Sequence, residues 1–227
     1  MHVHTRGSDG WGTPDEIVQY AQRARLDGVC LTDHHVTYTP ESLEVAKALR
    51  KAGLLAFHGC EYSTSMGHLL VYGVSAESLD FGYYPHPQAV IDSVSDAGGI
   101  CIPAHPFKGY KRAYCESVIE LKGIPGFETA NGQCTYQNPM ANQKAAVLSG
   151  NHYLRSFGGS DAHNPQDVGL TYTLFQGIIR HEKDLLKAIR DSRTRAVTSK
   201  KLVHSRIKSD RGSYLMTKFC DYEQLTM

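Results

Sequence analysis

Histidines and carboxylates that could bind metal ions recur along most of the chain. The sequence contains twelve histidines, and histidine is the commonest metal ligand in proteins and the usual general acid or base in enzymes. His2 and His4 are two residues apart, so on an extended strand their side chains share one face and can converge on one cation. A surplus of histidines is weak support by itself, so the position of each candidate on the predicted elements must decide.

The other candidates fall at or just beyond the ends of predicted strands. They are Asp9, His34, Glu61, His68, His105, Asp161 and His163. Each residue alone has an ordinary structural explanation, such as a helix cap, an Asx turn or a solvated loop acid. These explanations would have to hold independently at five strand ends, whereas one shared metal site explains all of them.

The elements that position these residues are predicted from hydrophobic periodicity. Thr13-Pro14-Asp15-Glu16 offers an N-cap, a proline at the first helical position and a capping-box glutamate, and we expect Gly28 to end that helix. A strand over 29–32 follows. A second helix is predicted over 40–52, with Leu43, Ala46 and Leu49 buried.

The same alternation of short apolar runs and amphipathic stretches continues to the end of the chain. Further strands are predicted over 54–58, 67–74, 100–104, 126–130, 156–159, 170–175 and 196–199, and further helices over 87–97, 140–149 and 182–192. Six or seven βα units in one domain predict an α/β barrel, in which active sites lie at the carboxyl ends of the strands. We expect one barrel domain over residues 1–199 and a basic extension over 200–227 that could pack on it.

The motifs resemble those of the PHP (polymerase and histidinol phosphatase) superfamily of metal-dependent phosphoesterases. The resemblance covers residues 2–163. It rests on His2-Val3-His4-Thr5 with Ser8-Asp9-Gly10, Thr32-Asp33-His34, Gly59-Cys60-Glu61 with Gly67-His68, Pro103-Ala104-His105-Pro106 and Gly159-Ser160-Asp161-Ala162-His163.

The resemblance implies a distorted (β/α)7 TIM-like barrel with two or three divalent metal ions. The implied ligands are His2, His4, Asp9, His34, Glu61, His68, His105, Asp161 and His163. Glu61 is expected to bridge two metals, and our candidates for catalytic roles are Glu61, His34, Asp161 and His163. Asp9 stands where some relatives have histidine, so the occupancy of a third metal site stays open.

Such a ligand set suits hydrolysis of phosphate esters. Two metals about 3.5 to 4 Å apart can hold a bridging hydroxide at neutral pH and bind phosphoryl oxygens. Mixed imidazole and carboxylate ligands suit Zn, Mn or Fe, whereas Ca or Mg prefers oxygen ligands throughout. A substrate phosphate usually needs a further cation, and Lys108 and Arg112, just past His105, are our candidates. Asn131 could contact the substrate or a metal-bound water.

Composition narrows the cellular setting and the partners. No apolar run approaches the ~20 residues that span a bilayer, and the first residues lack the plan of a secretory signal, so we expect a cytoplasmic protein without membrane contact. The six scattered cysteines form no Cys-x-x-Cys pair and are expected to be reduced and mostly buried. Residues 193–218 carry eight Lys/Arg against one acid, which leaves contact with nucleic acid open.

Three classes of function remain at this point. Hydrolysis of a small-molecule or nucleotide phosphate monoester is the leading hypothesis, with a phosphodiesterase or oligonucleotide exonuclease as its alternative. A metal-dependent amidohydrolase would also use a barrel with His-x-His, but such enzymes usually carry a bridging lysine. The third class is a metal-stabilised interaction module without catalysis. The sequence leaves the substrate, the metal and the oligomeric state undetermined.

Overall fold

The computed structural model describes residues 1–79, 81–109 and 113–204. Its helices are α1 (Pro14–Arg23), α2 (Pro40–Lys51), α3 (Pro87–Asp96), α4 (Gly132–Gln137), α5 (Pro139–Asn151) and α6 (Glu182–Asp191). Its strands are β1 (Gly28–Leu31), β2 (Leu55–Ser63), β3 (His68–Tyr72), β4 (Ile100–Pro103), β5 (Gly126–Asn131), β6 (Arg155–Gly159), β7 (Thr171–Phe175) and β8 (Thr194–Thr198). None of the helices in these ranges is long and apolar enough to cross a membrane.

In the described residues the strands form three sheets. The largest has the strand order β1-β2-β3-β4, and the pairs β5-β6 and β7-β8 form the other two. β1 and β2 are parallel, as are β5 and β6, whereas β3 runs antiparallel to both β2 and β4. β7 and β8 are also antiparallel.

The expected distorted (β/α)7 TIM-like barrel is therefore confirmed only as a mixed α/β fold, because the described residues show no closed barrel. The strands do not close into one hydrogen-bonded ring there. The strands are also not all parallel, and one reason lies between β2 and β3, which are joined by the short turn 64–67. So short a connection reverses the chain, because two parallel strands need a crossover of a dozen or more residues.

Helix α1 begins as the sequence predicts. The Thr13 side chain accepts a hydrogen bond from the Glu16 backbone amide, and the Glu16 side chain accepts one from the Thr13 amide, which completes the capping box. The helix ends at Arg23 with Ala24 as its C-cap. The expectation that Gly28 ends the helix is wrong, because Gly28 already begins β1.

Helix α2 buries a different face from the one that the sequence predicts, because Val45 is buried instead of Leu43. Ala46 and Leu49 are fully buried, but half of Leu43 is exposed to solvent. Two of the three apolar clusters that form the core of the described residues involve α2 and α3. One joins α1, α2 and β1 and includes Ile17, Val45 and Leu49, and the other packs α3 on β3, β4 and β5 and includes Phe127.

The cysteines in the described residues are all free. Cys30, Cys60, Cys101 and Cys134 are buried, and Cys115 is exposed. Cys220 lies outside the described residues, as do residues 205–227, which make up most of the predicted basic extension 200–227.

A matched pair of substitutions on α2 tests this packing. Leu49→Ala should lower the free energy of unfolding by about 2–5 kcal/mol, because it leaves a cavity in the core. Leu43→Ala on the same helix should change it by no more than about 0.5 kcal/mol, because that side chain is half solvated. Urea denaturation followed by circular dichroism measures both. Equal losses for the two variants would contradict the assignment of the buried face.

Candidate metal centre

The first residues run as an extended segment between the ends of β1 and β6. The Thr32 amide donates to the Val3 carbonyl at 2.8 Å, the His4 amide donates to the Ala162 carbonyl at 3.0 Å, and the Asp161 amide donates to the His2 carbonyl at 2.9 Å. Because side chains alternate along an extended segment, His2 and His4 point to the same side. Both are buried.

A first group of potential ligands is formed by His2, His4, Glu61 and Asp161. Glu61 Oε2 lies 3.0 Å from His2 Nε2 and 3.1 Å from His4 Nε2. Asp161 Oδ1 lies 3.6 Å and 3.5 Å from the same two nitrogens. All four residues are buried, and their ligand atoms lie within 4.8 Å of one another.

A second group consists of Glu61, His68 and His105 and so shares Glu61 with the first. The other carboxylate oxygen of Glu61, Oε1, lies 2.7 Å from His68 Nδ1 and 2.9 Å from His105 Nε2. The two oxygens of one carboxylate therefore face two different sets of imidazoles. This is the geometry in which a carboxylate can bridge two cations.

A third group lies nearer to solvent and consists of His4, Asp9, His34 and His163. Asp9 Oδ2 lies 3.0 Å from His163 Nε2 and 3.5 Å from His34 Nε2. His4 Nδ1 is buried without a hydrogen-bond partner and lies 3.4 Å from Asp9 Oδ1. The structure thus brings all nine residues named from the sequence into three overlapping groups.

The donor set and its charges suit divalent cations. Burial alone would raise the pKa of the Glu61 carboxyl, but the charge of His2 and hydrogen bonds from three imidazoles hold that pKa well below its usual value. Burial would likewise lower the pKa of His4, but hydrogen bonds to Asp161 and Glu61 raise it to about 9. Protons on buried imidazoles balance buried carboxylates here, and a cation with nitrogen and oxygen ligands could replace those protons.

The backbone is strained where three of these strands end. His35, His105 and Asp161 have φ values of 57°, 27° and 51°. Residues other than glycine rarely adopt positive φ values. Two of these residues belong to the groups above, and His35 follows His34 directly. Strain of this kind persists where surrounding contacts hold it, and it clusters at functional sites.

Asp33, part of the second sequence motif, supports the loop that carries Asp9. The Thr5 amide and hydroxyl donate to its two carboxylate oxygens at 2.7 and 2.6 Å. The Ser8 hydroxyl donates to Asp33 Oδ1 at 2.6 Å. Asp33 is buried and belongs to none of the three groups, so its part in the motif is to hold the loop.

Lys108, one of the two residues proposed to bind phosphate, lies at the first group. Its ammonium forms an ion pair with Asp161 Oδ2. Burial would lower the pKa of Lys108, but Asp161 raises it overall, so the side chain stays cationic. Arg112, the other candidate, lies outside the described residues.

Two residues at the site were missed by the sequence reasoning. Glu128 is buried in β5 and accepts a hydrogen bond from His2 Nδ1 at 3.2 Å. The Gln133 amide lies 2.7 Å from His163 Nδ1. The available signal for Glu128 was an acid inside a strand whose residues are otherwise uncharged. Asn131, which was noted, donates to Asp161 Oδ2 at 3.0 Å and to Glu128 at 2.9 Å.

Fold and site together define an α/β protein with a candidate centre for several metal ions. The family model for the PHP domain matches residues 1–145, and a model described as PHP-associated matches residues 139–194. The chain therefore belongs to the PHP domain family.

Known relatives are distant in sequence. An uncharacterized protein of Methanocaldococcus jannaschii is 23% identical over 142 residues, which cover 58% of this chain and 80% of the relative. PsfC from Pseudomonas syringae has a similar fold, with a TM-score of 0.68, 17% identity and coverage of 93% of this chain and 95% of PsfC. A two-domain protein of Bacteroides vulgatus, described as containing a predicted PHP-like metal-dependent phosphoesterase, has a TM-score of 0.67 at 20% identity, covering 91% of this chain and 68% of that protein.

Binding of a divalent cation should depend on pH. Neighbouring carboxylates raise the pKa of His2, and they raise the pKa of His4 to about 9, so the His4 imidazole keeps a proton at neutral pH in the metal-free protein. A cation must displace protons, and its apparent affinity should rise as the pH rises toward 9. Calorimetric titration of the metal-free protein with Zn²⁺ in buffers of different ionisation enthalpy counts the protons released. An affinity independent of pH, without proton release, would contradict this assignment.

Proposed function

We propose that the protein is a metal-dependent phosphoesterase that hydrolyses a phosphate monoester of a small molecule or nucleotide. The observation that carries the proposal is the buried Glu61 carboxylate, whose two oxygens face separate sets of imidazoles. The similar protein of Bacteroides vulgatus, described as containing a predicted PHP-like metal-dependent phosphoesterase, supports the same class of reaction.

The nine residues would hold two or three ions of Zn, Mn or Fe. Such ions neutralise the charge that develops on phosphoryl oxygens and activate water at neutral pH. The chain itself contributes the positions of the ligands. His2, His4, Glu61 and Asp161 would hold one cation, Glu61 would reach a second with His68 and His105, and Asp9, His34 and His163 would complete the third position.

Lys108 is suited to bind the phosphate of the substrate. Its side chain is about one quarter exposed, whereas Asp161 beside it is almost fully buried. The ammonium therefore lies between the first group and solvent, where a substrate enters. A cationic group at this place can bind a phosphoryl oxygen that the cations do not bind.

The site favours phosphoester over amide hydrolysis. In an amidohydrolase of the kind considered above, a lysine bridges the two metals. In this chain Glu61 would take the bridging position, because its two oxygens face separate sets of imidazoles, whereas Lys108 forms an ion pair with Asp161. The lysine thus contributes a positive charge for binding an anion.

Removal of metals or of their ligands should abolish turnover. We expect the purified protein to contain Zn, Mn or Fe and to release phosphate from a panel of monoesters until a chelator is added. Glu61→Ala and His34→Ala should lower kcat/KM by more than roughly 10- to 100-fold. That range is typical when a residue that only hydrogen-bonds to a metal ligand is lost. His152→Ala, which changes an exposed histidine at the end of α5, is the control.

Elemental analysis and a phosphate assay measure these outcomes together. A short oligonucleotide in the same panel separates monoester hydrolysis from cleavage of diesters. Parental rates for Glu61→Ala and His34→Ala would exclude the proposed site, and a protein without bound metal or phosphatase activity would exclude the function.

A charge-removing substitution tests the part played by Lys108. Lys108→Met keeps much of the apolar stem but removes the ammonium, so KM for a monoester should rise about 10-fold or more, since one charge-assisted hydrogen bond contributes about 1.5–3 kcal/mol. Lys47→Met, on the exposed face of α2, is the matched control. Steady-state kinetics at fixed metal concentration gives both constants. An unchanged KM and kcat for Lys108→Met would exclude substrate binding by this residue.

A further inference from the structure

Glu128 is a buried acid that contacts the metal centre without belonging to any of its three ligand groups. It lies in β5 and is 1% exposed. Its Oε1 accepts a hydrogen bond from His2 Nδ1 at 3.2 Å. Its Oε2 accepts from the His105 backbone amide and from the Asn131 side-chain amide, both at 2.9 Å. Donors on both oxygens hold the carboxylate in one orientation.

A bulge in β5 turns Glu128 toward the site. Glu128 pairs with Phe157 and Ala130 with Gly158, so two steps along β5 correspond to one step along β6. In a regular strand, residues 128 and 131 would point to opposite faces. The extra residue brings Glu128 and Asn131 to the same face, which is a common use of bulges next to active sites.

The contact with His2 determines which of its ring nitrogens is free to bind a cation. Glu128 accepts the hydrogen on Nδ1, and the opposite nitrogen, Nε2, faces Glu61 at 3.0 Å and Asp161 at 3.6 Å. A histidine that donates one N–H to a carboxylate has a defined tautomer and ring orientation, and its other nitrogen becomes a better ligand.

The contact with His105 acts on the backbone. His105 has a φ of 27°, a conformation that needs support from its surroundings. Its amide donates to Glu128 Oε2, and its ring Nε2 lies 2.9 Å from Glu61 Oε1. One carboxylate therefore supports a residue of the first group and a residue of the second, on the two sides of Glu61.

The space for Glu128 is provided by Gly159. A Cβ at this position would overlap Glu128 Oε1 and the Cβ of His2. Any larger residue at the end of β6 would displace the acid, the histidine or both. The glycine is therefore required by the approach of these side chains.

We infer that Glu128 is a positioning residue that orients His2 and His105 toward two neighbouring cations. The inference rests on the proposed metal-dependent function and adds a residue that binds neither metal nor substrate. Its effect is exerted through the imidazoles, so it should appear first in the affinity and geometry of metal binding.

Glu128→Gln tests the inference with little change in shape. One oxygen becomes an NH₂ group, which then faces either the His2 N–H or the two amide donors, so one set of hydrogen bonds is lost. We expect the affinity for Zn²⁺, measured by competition with a chromophoric chelator, to fall about 10- to 100-fold. We also expect the visible spectrum of the Co²⁺-loaded protein to change, because ligand geometry determines it.

Two further variants complete the experiment. Glu44→Gln removes an exposed acid on α2 and should leave the affinity and the spectrum unchanged. Glu128→Asp keeps the charge but is too short to reach both His2 and the His105 amide, and it should weaken Zn²⁺ binding in the same way. Thermal unfolding of the metal-free variants identifies which of them are folded.

The outcomes separate this inference from the proposed function. Parental Zn²⁺ affinity and an unchanged Co²⁺ spectrum in either folded Glu128 variant would overturn the positioning role and leave the metal centre intact. A parental protein that binds neither ion would instead overturn the proposed function.

Discussion

The structure around the site depends on one buried carboxylate surrounded by imidazoles. Glu61 is 1% exposed, and both of its oxygens lie within 3.1 Å of histidine nitrogens. Burying an uncompensated carboxylate costs several kcal/mol, so opposite charge must accompany it into the interior. The first residues of the chain, the end of β1, the start of β3 and the end of β4 supply the imidazoles that surround it. Their convergence is therefore both a condition for burying Glu61 and the origin of a centre that could hold cations.

The departure from an all-parallel sheet involves the same region. β2 continues to Ser63, two residues past Glu61, and β3 returns beside it after a short turn. His68 begins β3 and reaches Glu61 Oε1 from the neighbouring antiparallel strand. A helical crossover would separate these two residues by a dozen or more residues of chain. The hairpin instead brings a strand-end carboxylate and a strand-start histidine into one ligand group.

The three groups differ in what holds them and in their access to solvent. The first is buried and supported by Glu128 through His2. The third includes Asp9, whose side chain is about half exposed and whose loop is held by Asp33 through Thr5 and Ser8. Acids that belong to none of the three groups thus support both ends of the centre. Asp9 and His34 lie at its more exposed end.

The sequence by itself determined the candidate ligands and most of the elements, because ligand identity and hydrophobic periodicity are local properties of the chain. The capping box at Thr13 and all nine candidate ligands could be named from the sequence. Tertiary structure decided what depends on contacts between distant segments: the open sheet, the exposure of Leu43, and the place of Glu128. A glutamate in a strand has the same local signature whether it faces solvent or a histidine. Only the bulge in β5 and the approach of His2, 126 residues away along the chain, distinguish the two.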